Sequence, residues 1–398
     1  MKILFYRYNS ICEPDYILAF KKAGLEVAEI TEEIYRKDIP GEERVRILLE
    51  NISLHQPLFV FSIDYFPFIS IVCERAGIIY AALSVDCPVA EIYSDKIRLS
   101  CNRIFLFDRV QYDSIKDENP AGIRYMPLGA ATDRLDALPY PASYEYPVSF
   151  IGSLYNEKDK YTLLKESGKL PKDACSHMDE LISEQLKVPG LDIIEKGLAK
   201  EDIKALKDAD PSYYTDPGAL TDMDRYVAVN NYLGNHLTSL DRIRALNLLA
   251  ESLPEGSVHL FTRSDTSRID DRITVHGGVE SLKEMPEVIR KSCINLNLTS
   301  RTIRNGIPQR VWDIAGCGAF CLTDDVPALD GLLESGKHLD TFRSYEELPS
   351  KCSYYLDDQD MRETVALGGY EEVSARHTVL LRALEIVKVI VSEKLSRA

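Results

Sequence analysis

Six apolar runs recur through the first third of the chain: "KILFYRY", "LEVAEI", "PLFVFSI", "IYAALSV", "RIFLFD" and "IRYMPLG". Segments of helical character separate them, among them "YILAFKKAG", "FISIVCERAG" and "VQYDSIKDE". A strand with one wet face alternates polar and apolar residues, so near-continuous apolar strands need cover on both faces. Strands of that kind joined by helices predict a parallel sheet with helices on either side.

The rhythm breaks at "TDRLDALPYPASYEYP", where prolines and tyrosines fall without helical spacing, as in a linker. "VSFIGS" then opens a second unit. Residues 156–235 are rich in Lys, Asp and Glu and predict a mostly helical insertion. Alternation returns with "DRIRALNLLAESLP", "VHLFT", "ITVHGG", "MPEVIRKS", "CINLNLT", "RVWDIAGCG" and "AFCLTDD". The expected organisation is a Rossmann-like domain over 1–133, a linker over 134–147 and a second domain over 148–375. The amphipathic tail 376–398 is expected to pack back on the first domain. A chain of 398 residues accommodates two domains of roughly 100–200 residues each. Ligands are expected at the carboxyl ends of the strands. The small residues of "LGAATD", 128–133, allow a close approach of ligand or hinge backbone at the domain junction.

A net charge of −16 argues against a nucleic-acid partner, because neutralising phosphates needs clustered Lys and Arg. No apolar run reaches the ~18–20 residues of a spanning helix. "MKILFYRYNS" lacks the features of a signal peptide. Nine cysteines without a CxxC pair suggest reduced thiols, and the location expected is cytoplasmic. "YRYNSICEPD" stands where a GxGxxG loop would follow the first strand, so a dinucleotide site is not expected there.

The chemistry concentrates in "IRNGIPQRVWDIAGCGAFCLTDD", 303–325. A helix start offers unpaired N–H groups and a positive dipole end, suited to a phosphate. Gly306 permits close backbone approach and Pro308 suits the first turn. Arg304 or Arg310 would add charge-assisted hydrogen bonds to phosphate oxygens, with the amides Asn305 and Gln309 beside them. Asp313 shares a helix face with Arg310 and would suit a ribose diol. The competing reading is an ordinary strand–helix corner with an Arg–Asp pair.

The stretch from "NLNLTSRTIRNGIPQRVWDIAGCGAFCLTDD" to "DTFRSYEEL" resembles the C-terminal domain of CgeB-like glycosyltransferases, the spore-maturation-protein group. "VSFIGSLYNEK", "DRIRALNLLAE" and "LSVDCPVAEIYSDKIRLSCNRIFLFDRVQYDSI" extend the resemblance over nearly the whole chain. It implies a GT-B fold: two Rossmann-like domains facing across a cleft, here with a helical insertion in the C-terminal half. It implies a nucleoside diphosphate sugar donor, such as a UDP-sugar, and normally no metal or cofactor. By the same resemblance, Gly152 and Ser153 would meet the diphosphate through backbone N–H groups. Phe261, Thr262 and Arg263 would lie near the base pocket, and His276, Gly277, Gly278 and Val279 would read the base edge. Asn305 and Asp313 stand where many retaining GT-B enzymes carry two glutamates, so the first position has lost its charge.

An inverting transferase needs a base beside the acceptor hydroxyl. Asp86 in "LSVDCP" and Asp64 in "FSIDYFP" follow apolar strands and are the candidates, with loop capping as the alternative. Tyr93, Asp108 and Arg109 are weaker ones. The expectation is a metal-independent glycosyltransferase with an undefined acceptor. A nucleotide-sugar epimerase and a non-catalytic binding or assembly protein are its competitors.

Overall fold

The structure, a computed structural model, describes residues 1–397. Two compact units are present. The first comprises Met1–Ala137 together with the chain from Glu372 onward, and the second is Leu138–Glu371.

In the first unit, β1 (Lys2–Tyr6), β2 (Glu26–Ile30), β3 (Phe59–Ile63), β4 (Ile79–Leu83), β5 (Asn102–Leu106) and β6 (Ile123–Tyr125) form one sheet in the order β2-β1-β3-β4-β5-β6. Every pairing is parallel. β3 and β5 are buried at every position, which accounts for their unbroken apolar sequence. Phe5, Phe20 and Phe61 meet edge to face with centroids 4.9–5.0 Å apart, and Phe59 joins them. The final helix, Val379–Arg397, lays Val379, Ala383, Ile386 and Ile390 into this core. That spacing keeps all four on one helical stripe. The chain enters this helix through a parallel bridge between Ala130 and Thr378. A Cβ on Gly129 would come within 2.8 Å of the His377 carbonyl oxygen, so the small residues of "LGAATD" serve a backbone crossing.

The second unit holds β7 (Tyr146–Ile151), β8 (Val258–Phe261), β9 (Thr274–His276), β10 (Ser292–Asn297), β11 (Cys321–Asp324) and β12 (Asp340–Phe342), in the order β12-β11-β10-β7-β8-β9. All pairings are again parallel. The charged segment after β7 folds as the helices Lys160–Glu166, Lys172–Gln185, Asp192–Gly197, Lys200–Ala209 and Met223–Val227. A wide turn over Ala228–Gly234 leads from the last of these into the long helix Asn235–Ser252.

Three features differ from the sequence reading. The helix Gly41–His55 was not expected; only Leu48 and Ile52 on it are buried, which leaves a weak apolar stripe. The expected linker begins inside a short helix, Thr132–Leu135. The change from second to first unit falls before Glu372, so the last turn of the helix Gln359–Arg376 belongs with the first unit.

Gly129→Val should cost roughly 1–3 kcal/mol, since the added atoms meet main chain that cannot swing away. Urea unfolding would show a lower midpoint at unchanged slope. An unshifted midpoint would mean that the crossing is looser than it appears.

Candidate functional site

The strand order of the second unit reverses between β7 and β10, which is where an open parallel sheet leaves a crevice at its carboxyl edge. A guanidinium occupies that place. Arg242 Nη1 donates to the Ser153 carbonyl oxygen after β7, and Nη2 donates to the Leu298 carbonyl oxygen after β10, both at 2.7 Å. Its Nε is buried and has no hydrogen-bond partner among the described residues. The plane lies 4.6 Å from the ring of Tyr155, whose other cation is Lys158 at 4.5 Å. Burial makes the Arg242 proton easier to lose, and the nearby charge of Arg310 adds to that effect, while Tyr155 and Asp324 oppose it. Two desolvated cations of like sign with one unsatisfied donor form a place where an anion relieves repulsion.

Arg310 stands at the second position of the helix Gln309–Gly316. Its side chain rests on Met285 and lies 3.9 Å from Asp313. Gln309 donates to Asp313 Oδ1 at 3.0 Å, so these three side chains share one helical face. Asn305 is half-buried and Gly306 buried in the preceding turn. Arg304 is committed elsewhere: it pairs with Asp192 at 2.5 Å and Glu195 at 3.0 Å on the insertion. Arg301 binds Asp241 and the carbonyls of Val188 and Gly190. The insertion thus uses up Arg304, one of the two arginines that the sequence reading had offered to a phosphate, and leaves Arg310.

Gly152 also departs from expectation. Its N–H extends the ladder to the Phe261 carbonyl at 3.0 Å and is not free for a diphosphate. The Ser153 hydroxyl binds Glu157 and accepts from Tyr155 N at 2.7 Å. Ser264 also donates to Glu157, at 2.9 Å, which ties the loops after β7 and β8 together. Thr262 is buried, and its hydroxyl accepts from Ser264 N at 3.1 Å. The exposed Arg263 lays its stem over Gly278, where a Cβ would come within 2.3 Å of it. Gly277 is exposed and Val279 half-buried in the same loop. His276 ends β9, stacked on Phe261 at 4.3 Å and 3.0 Å from the His259 ring nitrogen. Burial pushes both imidazoles below their ordinary value, and His276 further disfavours charge on His259.

In the first unit the order turns about β1, flanked by β2 and β3. Tyr8, just after β1, donates its hydroxyl to Asp64 Oδ2 at 2.6 Å, just after β3. Val85 N, after β4, donates to Asp64 Oδ1 at 3.0 Å. Asp64 is 9% exposed and holds a φ of 52°, a left-handed conformation that is strained for a residue with a Cβ. Burial, and then the charge of Asp86, push its carboxyl up to about 7. Asp86 itself is exposed. Asp108 caps the helix Arg109–Ile115, Arg109 stacks on Tyr125 at 3.7 Å, and Tyr93 reaches Ser114; these three have structural employment.

Arg242, Tyr8 and Asp324 escaped the sequence reading. Only Arg242 left a trace: it stands at the head of the buried stripe Ala245, Leu246 and Leu249, an unusual place for an arginine.

Residues 242–388 match the family described as glycosyl transferase-like. Comparison with curated protein sequences finds no match. Among solved structures, Anabaena Alr3699/HepE in complex with UDP-glucose is similar at a TM-score of 0.57 and 11% identity, covering 98% of this chain and 100% of that one. A glycosyltransferase from Rickettsia africae is similar at 0.55 and 10%, covering 98% of each. Sucrose-phosphate synthase from Thermosynechococcus elongatus is similar at 0.52 and 11%, covering 100% of each. The two parallel six-stranded sheets and these likenesses establish the fold as GT-B.

The raised carboxyl of Asp64 has a measurable consequence for stability. In the unfolded chain an Asp titrates near 3.9, so between about 4 and 7 the folded state binds more protons. Stability therefore falls as pH rises through that window, by at most ~1.4 kcal/mol per pH unit. Asp64→Asn removes the titration, and its melting temperature relative to the native protein should climb from pH 5 to pH 8. A difference constant with pH would show that Asp64 ionises normally.

Proposed function

We propose that this chain is a glycosyltransferase that binds a nucleoside diphosphate sugar on its second unit and passes the sugar to an acceptor hydroxyl. The observation that carries this reading is the Arg242 guanidinium, fixed between the ends of β7 and β10 with Nε unpartnered and Arg310 as a like-charged neighbour. A diphosphate is the anion that matches such a pair, because each arginine can contact a different phosphate oxygen. The glycosyl transferase-like match, which begins at residue 242, supports it. UDP-glucose, the ligand of the similar Anabaena structure, is the first donor to test.

In the proposed reaction the acceptor oxygen forms a bond to the anomeric carbon. The bond from that carbon to the phosphate oxygen breaks, and its electron pair stays with the nucleoside diphosphate. Arg242 and Arg310 stabilise the charge developing there, without a metal. The acceptor proton goes to Asp64, which geometry favours over Asp86. Asp64 is buried and oriented by Tyr8 and Val85 while keeping lone pairs for one more donor. Asp86 acts as the neighbouring charge that raises its basicity. Asp313 is assigned to the ribose hydroxyls, and the loops carrying Thr262 and His276 to the base.

Two measurements test this. With EDTA present throughout, UDP or UDP-glucose at a hundred times Kd should stabilise the protein by about 2.7 kcal/mol. Arg242→Ala should weaken that binding by roughly 1.5–3 kcal/mol, the range for a hydrogen bond to a charged group. Absence of any UDP-sugar binding would end the donor assignment, and binding that needs a divalent ion would end metal independence.

The second is the pH profile. Transfer should rise with pH along a limb centred near 7, as Asp64 loses its proton. Asp86→Asn removes the repelling charge, so the limb should move to lower pH while turnover persists. Loss of turnover by about 10²-fold or more at every pH would instead make Asp86 the base.

A further inference from the structure

Beside Asp64 the chain breaks a second local rule. The helix Pro67–Ala76 starts from Phe66, with no side-chain cap, at a position where Ser, Thr, Asp or Asn is preferred. Its N–H is instead held by the buried Tyr80 hydroxyl at 3.0 Å. The position is given over to an aromatic ring. Phe66 and Phe68 both lie against the buried Tyr6 ring, at 5.7 and 5.5 Å, and Phe66 meets Tyr8 at 5.3 Å. Phe66, Phe68 and Tyr8 are each only partly buried. These rings stand at the carboxyl edge of β1 and β3, where a parallel sheet receives ligands, and Tyr8 is bonded to the buried carboxyl.

We propose that this cluster is the acceptor subsite and that it takes a neutral pyranoside, an assignment that rests on the transferase reading. A pyranose ring has an apolar C–H face, which suits a half-exposed aromatic ring, and hydroxyls at its rim, which suit a carboxylate and a phenol. The charges around the rings disfavour an anionic acceptor. Asp64 and Asp86 bring negative charge. Arg7 is taken up by Glu13 and Glu29, and Arg44 is shared with Glu33. Lys37 binds the Tyr8 carbonyl. A phosphorylated sugar would face the repulsion of both carboxylates, while Arg7, Arg44 and Lys37 already pair with carboxylates or a carbonyl of the protein. Phe66 here selects and orients the acceptor, while Asp64 accepts its proton.

The test uses UDP-glucose as donor with methyl pyranosides, glucose 6-phosphate and phenol as acceptors, and the variants Phe66→Leu and Phe66→Tyr. Leucine keeps apolar bulk and loses the flat face; tyrosine keeps the face. Phe66→Leu should raise the KM for a methyl pyranoside roughly three- to tenfold, the worth of an aromatic contact. Phe66→Tyr should leave it near the native value. UDP affinity, read by thermal shift, should be the same in all three proteins. An unchanged KM in Phe66→Leu, or a preference for glucose 6-phosphate or phenol over every pyranoside, overturns the subsite while the transferase reading stands. If the native protein neither binds nor consumes UDP-glucose or another UDP-sugar, both fall together.

Discussion

Where the strand order of a parallel sheet turns, the connections leave in opposite directions and open a crevice at its carboxyl edge, and both units of this chain place polar groups there. In the second unit Arg242 joins the carbonyls that follow β7 and β10. In the first unit the Tyr8–Asp64 bond joins the segments that follow β1 and β3. The polar groups there are held by main-chain and side-chain bonds anchored in largely buried strands. They need no loop to fold around a ligand before they are in position.

Each place also carries a local penalty. Asp64 combines a left-handed backbone with a buried carboxyl, and the next helix begins on an uncapped phenylalanine. Burial loosens the hold of both Arg242 and Arg310 on a proton, and the charge of Arg310 adds to the effect at Arg242. Such departures persist only where surrounding packing overrules them, and that packing is present in the aromatic core under β1 and β3. The strain is concentrated in a few residues, while the sheets beneath follow ordinary rules of burial and register.

Most of the fold was legible because strands buried on both faces write themselves as apolar runs, as β3 and β5 do. The helix Gly41–His55 was not, since two buried side chains in fifteen residues leave no readable stripe. The site was legible in part. Arg310 and Asp313 sit on one helical turn, so their spacing showed that they share a face. Arg304 was offered as the alternative to Arg310, but its partners Asp192 and Glu195 stand more than a hundred positions earlier. No local pattern carries such a pairing. Gly152 failed for a related reason: whether its N–H is free depends on how far β7 pairs with β8. The direction of a side chain or N–H at a strand end is a property of the neighbouring strand.

The first unit is assembled from both ends of the chain, because the helix Val379–Arg397 fills part of the core begun by β1 and β3. The second unit is continuous in sequence. During synthesis from the N-terminus, the second unit has all its residues before the first has its last helix. The strands of the first unit therefore wait for the cover of that helix until the second unit has been made. Their exposed apolar face is a hazard for a nascent chain, and any early stop after the second unit yields a protein with one finished half and one open one.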